Sequence, residues 1–354
     1  MYKMYIREAT PGDNNELREL QAKCPQGKTL IVSTVNTPDF FARAKAYESY
    51  KVFVACTNGH IIGSGTCVLK NAIVNGQLHR IGYLFQLFVN PEYRRKGVAR
   101  ELFRYREDYL TQQGAALAYA LIMEGNIPSM RYVVGQGFKR HRTLVMPSLA
   151  IYKEMYIPFQ GKIRPIEEED LDAVAELMND TWQGYDFYEP ISAEGLAAFI
   201  QRIPAYSFDN LLVLEYQGRI LSCIGFWDWR KIMRITVIER NLKMRIIGSM
   251  LDMLGRLRPM PTGVCTGETL NQIMLTPIAF KDPVHLTTLL RRMNHVALSN
   301  GIDQIFLICE SGHQLLKSLK GFIRINTEVN LYVKSLNPNI LIGDRPVFVD
   351  GIDM

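Results

Sequence analysis

The stretch from Ile81 to Arg106, IGYLFQLFVNPEYRRKGVARELFRYR, does most to limit what this chain can become. Ile81 to Val89 is apolar and aromatic apart from Gly82 and Gln86, and Asn90-Pro91 closes it; this is the pattern of a buried strand ended by a turn. Arg94-Arg95-Lys96-Gly97-Val98-Ala99 follows as a basic loop, and Val98, Leu102 and Phe103 then share one face at helical spacing. A strand, a small-residue turn and a helix start joined in this way present free backbone N–H groups to an anion. Charge-assisted hydrogen bonds to such an anion contribute roughly 1.5–3 kcal/mol each, and the helix dipole ~0.3–1 kcal/mol more. Alone, the same residues also describe a solvated basic loop with one turn glycine, so the rest of the chain has to decide.

The chain has 354 residues, long for one core, so two domains are the natural expectation. The first half reads as a strand at Tyr5 to Arg7, a helix with Leu17, Leu20 and Cys24 on one face, and an irregular stretch from Cys24 to Asp39. A helix presenting Phe40, Phe41, Ala44 and Tyr47 follows, then a hairpin of Val52–Cys56 and Ile61–Leu69 around Asn58-Gly59. After the central strand, loop and helix come Gln113-Gly114, a strand at Ala118–Met123, a short helix from Pro128, Gly137-Phe138, and a last strand at about Leu144–Met155. The pattern then restarts. Ile163-Arg164-Pro165-Ile166 mirrors Ile6-Arg7-Glu8-Ala9, and Leu211–Tyr216, Gln217-Gly218 and Ile220–Phe226 repeat the hairpin. Asn300-Gly301 with Gln304–Glu310 echoes Gln113-Gly114 and the strand ending at Glu124, and Gly321-Phe322 answers Gly137-Phe138. Four landmarks in the same order imply an internal duplication with a boundary near Phe159–Lys162, hence domains at 1–160 and 161–354. Counted back from Gly301, the position of Gly97 falls on Val284 and that of Ala99 on Leu286, beside Pro283. Proline lacks a donor and branched side chains crowd the backbone, so the second copy should bind no phosphate there. Its tail, Asn337–Met354, reads as an extended arm.

The net charge of +6 suits a phosphate-bearing ligand, and no lysine/arginine block marks a nucleic-acid surface. The six cysteines include no C-x-x-C pair and read as reduced thiols; no metal is expected. The start, MYKMYIREATPGD, lacks a signal peptide's apolar region, and no apolar run is long enough to span a bilayer. Together these predict a cytoplasmic protein with no membrane or nucleic-acid partner, as monomer or homodimer.

Val89, Pro91, Arg94, Gly97 and Ala99, followed by a strand, Asn126, a short helix and Gly137-Phe138, resemble the GNAT superfamily of acyl-CoA-dependent N-acetyltransferases. The whole chain also resembles the plant hookless-type acetyltransferases, and tandem arrangements with one degenerate copy occur in mycothiol synthase-like enzymes. The resemblance implies an α/β mixed-sheet fold with two tandem GNAT-like domains, the second degenerate, and acetyl-CoA as cosubstrate. It implies that the backbone of Leu87, Phe88 and Val89 holds the acetyl and pantetheine arm, on a strand that splays from its neighbour. Amides of Arg95, Lys96, Gly97, Val98, Ala99 and Arg100 would hold the pyrophosphate, with charge from the Arg94 and Lys96 side chains, while Asn126 and Ser129 line the pantetheine exit. The superfamily's leaving-group tyrosine would fall at Val133; Tyr132 is one place off, about 100° around a helix. The tyrosine is a candidate acid or a half-buried packing residue.

Transfer needs a neutral amine. A lysine amine with pKa near ~10.4 costs roughly 4–5 kcal/mol to deprotonate at pH 7, an α-amine about 1 kcal/mol. Where relatives often keep a carboxylate, the central strand offers Tyr83 and Gln86. Glu124, at the end of the next strand, is the first candidate base; His79 and a terminal carboxylate at Met354 are others. Trp227 and Trp229 around Asp228, and the cluster Trp182, Tyr185, Phe187 and Tyr188, read as packing before they read as a ligand cage. The expected activity is N-acetyl transfer to an unidentified primary amine, and the alternative is a non-catalytic CoA-binding regulator.

Overall fold

The computed structural model describes residues 4–159, 161–257, 259–340 and 342–354. The first half runs β1 (Tyr5–Glu8), α1 (Asn14–Ala22), β2 (Leu30–Asn36), β3 (Ser49–Thr57), β4 (His60–Val74), β5 (Gln77–Val89), α2 (Val98–Gln112), β6 (Leu117–Met123), α3 (Ile127–Gly135) and β7 (Lys139–Ala150). The second runs β8 (Lys162–Pro165), α4 (Leu171–Trp182), α5 (Ala193–Arg202), β9 (Leu211–Tyr216), β10 (Arg219–Asp228), β11 (Met233–Arg240), α6 (Leu242–Gly255), β12 (Gln272–Phe280), α7 (Pro283–Ser299), β13 (Gln304–Phe306), β14 (Cys309–Glu310) and β15 (Arg324–Ser335). The hairpins follow from local chemistry. Asn58-Gly59, Asn75-Gly76 and Gln217-Gly218 all take positive φ at both turn positions, which two-residue turns between twisted strands require.

One mixed sheet runs through both halves in the order β1-β3-β4-β5-β6-β15-β7-β13-β12-β10-β9-β8. Late strands are exchanged: β15 of the second half lies between β6 and β7 of the first, and β7 pairs in turn with β13. The halves are therefore continuous through their backbone hydrogen bonds, and the largest core cluster draws on both, from Tyr83 and Tyr119 to Trp227 and Met274. α2 and α3 cover one face of the first half's sheet, where Leu84, Ala118 and Tyr332 meet Phe103, Leu110 and Tyr132. The opposite face, with Tyr83, Phe85 and Tyr119, is covered by the second half.

Three sequence expectations need correction. The stretch from Cys24 to Asp39, read as irregular, contains β2, which pairs antiparallel with β11 of the second half; a strand whose partner lies some 200 residues away has no local signature. The helix drawn through Phe40, Phe41, Ala44 and Tyr47 is only a single 3-10 turn at Ala44–Ala46. Phe40 packs with Leu17 and Phe88 while Ala44 and Tyr47 join the main core, so two separate cores pull on this segment. The strand expected at Leu144–Met155 is β7, which begins at Lys139 because the polar run Lys139–Arg142 is paired by β15. The tail, read as an extended arm, forms no strand among its described residues; Val347 bridges to Asp186 before a last turn at Gly351–Asp353.

Candidate active site

The central strand β5 carries a bulge. Against β4, Phe88 faces Ser64 and Phe85 faces Thr66, so β5 has one residue too many, and Gln86 takes φ +49°. The Gln86 side chain accepts a hydrogen bond from the Thr66 hydroxyl at 3.2 Å. On its other side β5 pairs with β6 only at Gly82–Ala118 and Tyr83–Tyr119. Past these pairs the strands part, leaving the backbone of Leu87, Phe88 and Val89 along a wedge. Gly82 makes this possible at close range, since a Cβ there would lie 2.5 Å from the Leu110 side chain of α2.

The candidate anion cradle lies beyond the wedge. Gly97, at φ +85°, turns the chain into α2, and no side chain caps the helix. The Glu101 amide makes a first-turn bond to the Gly97 carbonyl at 3.1 Å; the amides of Val98, Ala99 and Arg100 precede it at the helix mouth. Arg95 is also left-handed, at φ +62°, so Arg95 to Gly97 curls around the same concavity. Arg94 reaches back to the Val89 carbonyl at 3.4 Å, and the Lys96 ammonium lies over the Tyr93 ring at 4.9 Å. Asn126 caps α3 by accepting from the Ser129 amide at 3.3 Å. In the second half the equivalent helix, α7, starts at Pro283 and is closed by its own Asp282, which accepts from the Val284 amide at 2.8 Å.

Tyr132 turns toward the cradle. Its hydroxyl donates to the Ala99 carbonyl at 2.6 Å, and burial pushes its pKa up to about 12, so it holds its proton at neutral pH. Arg106 is buried beneath the bulge; it donates to the carbonyls of Leu102 at 3.2 Å and Thr66 at 3.4 Å, and desolvation lowers its pKa. Glu124 is exposed just past β6, where its carboxylate accepts from Asn330 at 2.6 Å. Its side lies with α2 and α3, since Tyr332, two residues along β15 from Asn330, packs there. His79 pairs with Ala72 at the end of β5 remote from the bulge.

Sequence reasoning missed a carboxylate on the opposite face. The tail carries Asp353, 1% exposed, to the root of the wedge. Its carboxylate accepts from the hydroxyls of Tyr47 and Tyr119, each at 2.8 Å, and from the Lys70 ammonium at 2.8 Å. Its main-chain carbonyl accepts from Tyr83 and, at 2.7 Å, from Arg43. Burial, with the charge of Asp353 adding to it, pushes the Tyr47 and Tyr119 phenols well above their usual range, so both remain donors. Tyr83 stacks between Phe85 at 4.9 Å and Tyr119 at 4.8 Å, which gives the wedge an aromatic floor. Met354 follows Asp353, half-buried against the same core. No local pattern predicts this; the contacts span 234 to 310 residues of sequence. The other aromatic candidates pack. Trp182 meets Phe348 of the tail at 4.6 Å, Trp227 is fully buried in β10, and Trp229 lies in the turn after β10, stacked on Phe306 at 5.9 Å.

No curated relative matches this chain by sequence. Among solved structures, N-myristoyltransferase of Saccharomyces cerevisiae with bound myristoyl-CoA is similar at 12% identity and a TM-score of 0.67, over 99% of this chain and 85% of that one. A GCN5-related N-acetyltransferase of Sphaerobacter thermophilus is similar at 13% identity and a TM-score of 0.57, over 98% of both chains. These likenesses establish a mixed α/β fold of two GNAT-like halves. Residues 14–138, which contain the bulge, the wedge and the uncapped helix, match the model of the Acetyltransferase (GNAT) family.

Proposed function

We propose that the protein is an acyl-CoA-dependent N-acyltransferase that moves an acetyl group to a primary amine. One observation carries the reading: a bulged strand splays beside an uncapped helix start in the first half, while the second half's helix is sealed by Asp282. The carrier's diphosphate would lie on the amides of Val98, Ala99 and Arg100, with its pantetheine arm along Leu87 to Val89. A main-chain amide there can polarise the thioester carbonyl as charge develops on its oxygen. The amine attacks this carbon and gives up a proton to a base, the tetrahedral intermediate collapses with cleavage of the C–S bond, and the released thiolate takes a proton from solvent. Acetyl is favoured over a long chain because stacked rings fill the wedge floor.

The carrier approaches from the α2 and α3 face, so the acceptor amine approaches from the other. Glu124 stands on the carrier's side, Asp353 on the acceptor's. We therefore assign proton acceptance to Asp353, whose two oxygens offer about four lone-pair sites against three donors. Glu124 is the competing base. Tyr132 could serve the leaving thiolate only by giving up its bond to Ala99. That engagement favours a second reading, a CoA-binding regulator without turnover. Purified protein incubated with acetyl-CoA and a panel of α-amines, polyamines and lysine peptides decides between them. Amine-dependent thiol release supports the enzyme; CoA binding without thiol release on any amine supports the regulator. A series from acetyl- to myristoyl-CoA tests the chain length.

A further inference from the structure

The segment from β10 to β12 leaves the main sheet. Its strand β11 pairs with β2 of the first half, and α6 follows directly. Asn241 caps α6 by accepting from the Met244 amide at 2.9 Å, so this is a properly started helix, about 21 Å long. One side is committed to the protein: Gly248 is buried, and a Cβ on Gly263 would lie 2.6 Å from its Cα. The other side is apolar and open. Leu242, Ile246, Met250, Met253 and, just past the end, Leu257 recur at helical spacing and are 52–83% exposed. Lys243 flanks this stripe on one edge, Arg245 and Arg256 on the other, all exposed. From Asn241 to Met260 the sequence holds four basic residues and one acid, Asp252.

We propose that α6 is a membrane-surface element that lays this stripe on an anionic lipid leaflet, with its basic flanks on the headgroups. An apolar stripe edged by cations is what such a surface takes up. A partner that wraps a helix is disfavoured, since the inner side of α6 already lies against residue 263, whereas a planar surface needs only the outer side. This is peripheral contact, separate from spanning: no described helix is long and apolar enough to cross a bilayer. It revises the expectation of no membrane partner and does not depend on the proposed activity.

Full-length protein is mixed with phosphatidylcholine vesicles containing about 30 mol% phosphatidylserine at ~0.1 M salt and sedimented. The wild type should pellet with the vesicles, and at least about tenfold less should pellet with pure phosphatidylcholine or at ~1 M salt. Ile246→Glu/Met250→Glu should abolish pelleting with an unchanged melting temperature, because both side chains are exposed. If that variant fails to fold, Lys243→Gln/Arg245→Gln/Arg256→Gln serves instead and should weaken binding by at least about tenfold. Wild type remaining in the supernatant, or either folded variant binding as the wild type does, overturns the proposal. So does a concentration-dependent dimer, lost in Ile246→Glu/Met250→Glu, from protein that ignores the vesicles; the stripe would then be a contact between copies.

Discussion

Replacing Gly97 by glutamate should remove carrier binding while sparing the fold. At φ +85° the glycine is left-handed, and a Cβ there meets nothing within 4 Å, so the steric cost is that of the backbone alone. An L-residue in this conformation costs roughly 1–2 kcal/mol. For a chain of this size that lowers the melting temperature by about 1–3 °C. The binding effect should be larger. A carboxylate about 6 Å from the diphosphate repels each of its charges by roughly 0.7 kcal/mol in water and 3 kcal/mol near a protein surface. For two charges, a loss of about 2–4 kcal/mol, some 30- to 1,000-fold in affinity, is reasonable. Gly97→Gln has the same shape and the same strain without the charge, so the ratio between the two variants isolates the electrostatic part. That ratio should shrink as salt rises from ~0.05 to ~0.5 M. Titration calorimetry with CoA, paired with scanning calorimetry of each variant, measures all of this. Affinity of Gly97→Glu within about threefold of wild type, or equal losses in both variants at every salt, would refute the cradle.

Asp353→Asn keeps the shape of the tail and should lower kcat/KM about 10²–10⁴-fold, whereas Glu124→Gln should lower it less than about fivefold; the reverse order in steady-state kinetics would return the base to Glu124. Tyr132→Phe removes the bond to Ala99 and should lower stability by about 1 kcal/mol with kcat nearly unchanged, while a hundredfold loss of kcat at constant melting temperature would make the phenol the leaving-group acid. His313, stacked on Trp182 at 5.0 Å and accepting from the Leu315 amide at 3.1 Å, is held to a pKa of about 4 by burial. The unfolded imidazole takes its proton near 6.5, so this contribution is complete above pH 6.5 and is lost as the pH falls toward 4, at most about 2 kcal/mol after allowance for solvent. Thermal melts should show that slope in the wild type and a flatter one in His313→Gln.

What could be read from the residues alone was whatever local geometry determines. The hairpins at Asn58-Gly59 and Gln217-Gly218 demand positive φ, and glycine at 97 ahead of a helical apolar face marks the helix start. The bulge was less visible, because Gln86 is an ordinary residue whose left-handed backbone is imposed by the register between β4 and β5. Pairings between halves left no local trace: β2 with β11, and β15 inside the first sheet. The whole-chain resemblance in sequence is to hookless-type acetyltransferases; similarity to N-myristoyltransferase becomes apparent only from the fold. Asp353 was illegible for the same reason. Nothing in Val349-Asp350-Gly351-Ile352-Asp353 marks a buried carboxylate worth proposing as a base until Tyr47, Tyr83 and Tyr119 surround it.

These two facts, strand exchange and an imported carboxylate, explain what the sealed copy is for. Without β15, the edge of β6 that faces away from the wedge would be unpaired, and the position of β6 relative to β5 would lose its far support. Without the tail, three phenols, Lys70 and Arg43 would lose the acceptors that orient them in a buried site, at roughly 1–3 kcal/mol for each group left unsatisfied. A half that had merely decayed would show neither dependence. Here Asp282 closes the second helix while the same half completes the first half's sheet and covers the face that carries Tyr83, Phe85 and Tyr119. On the proposed reading the two copies would divide the labour, the carrier's phosphates falling to one and the acceptor's proton to the other. Asp353→Asn, which keeps the tail in place, should consequently leave CoA on Val98 to Arg100 but slow transfer, and a variant that binds CoA and turns over normally would show that the tail is only packing.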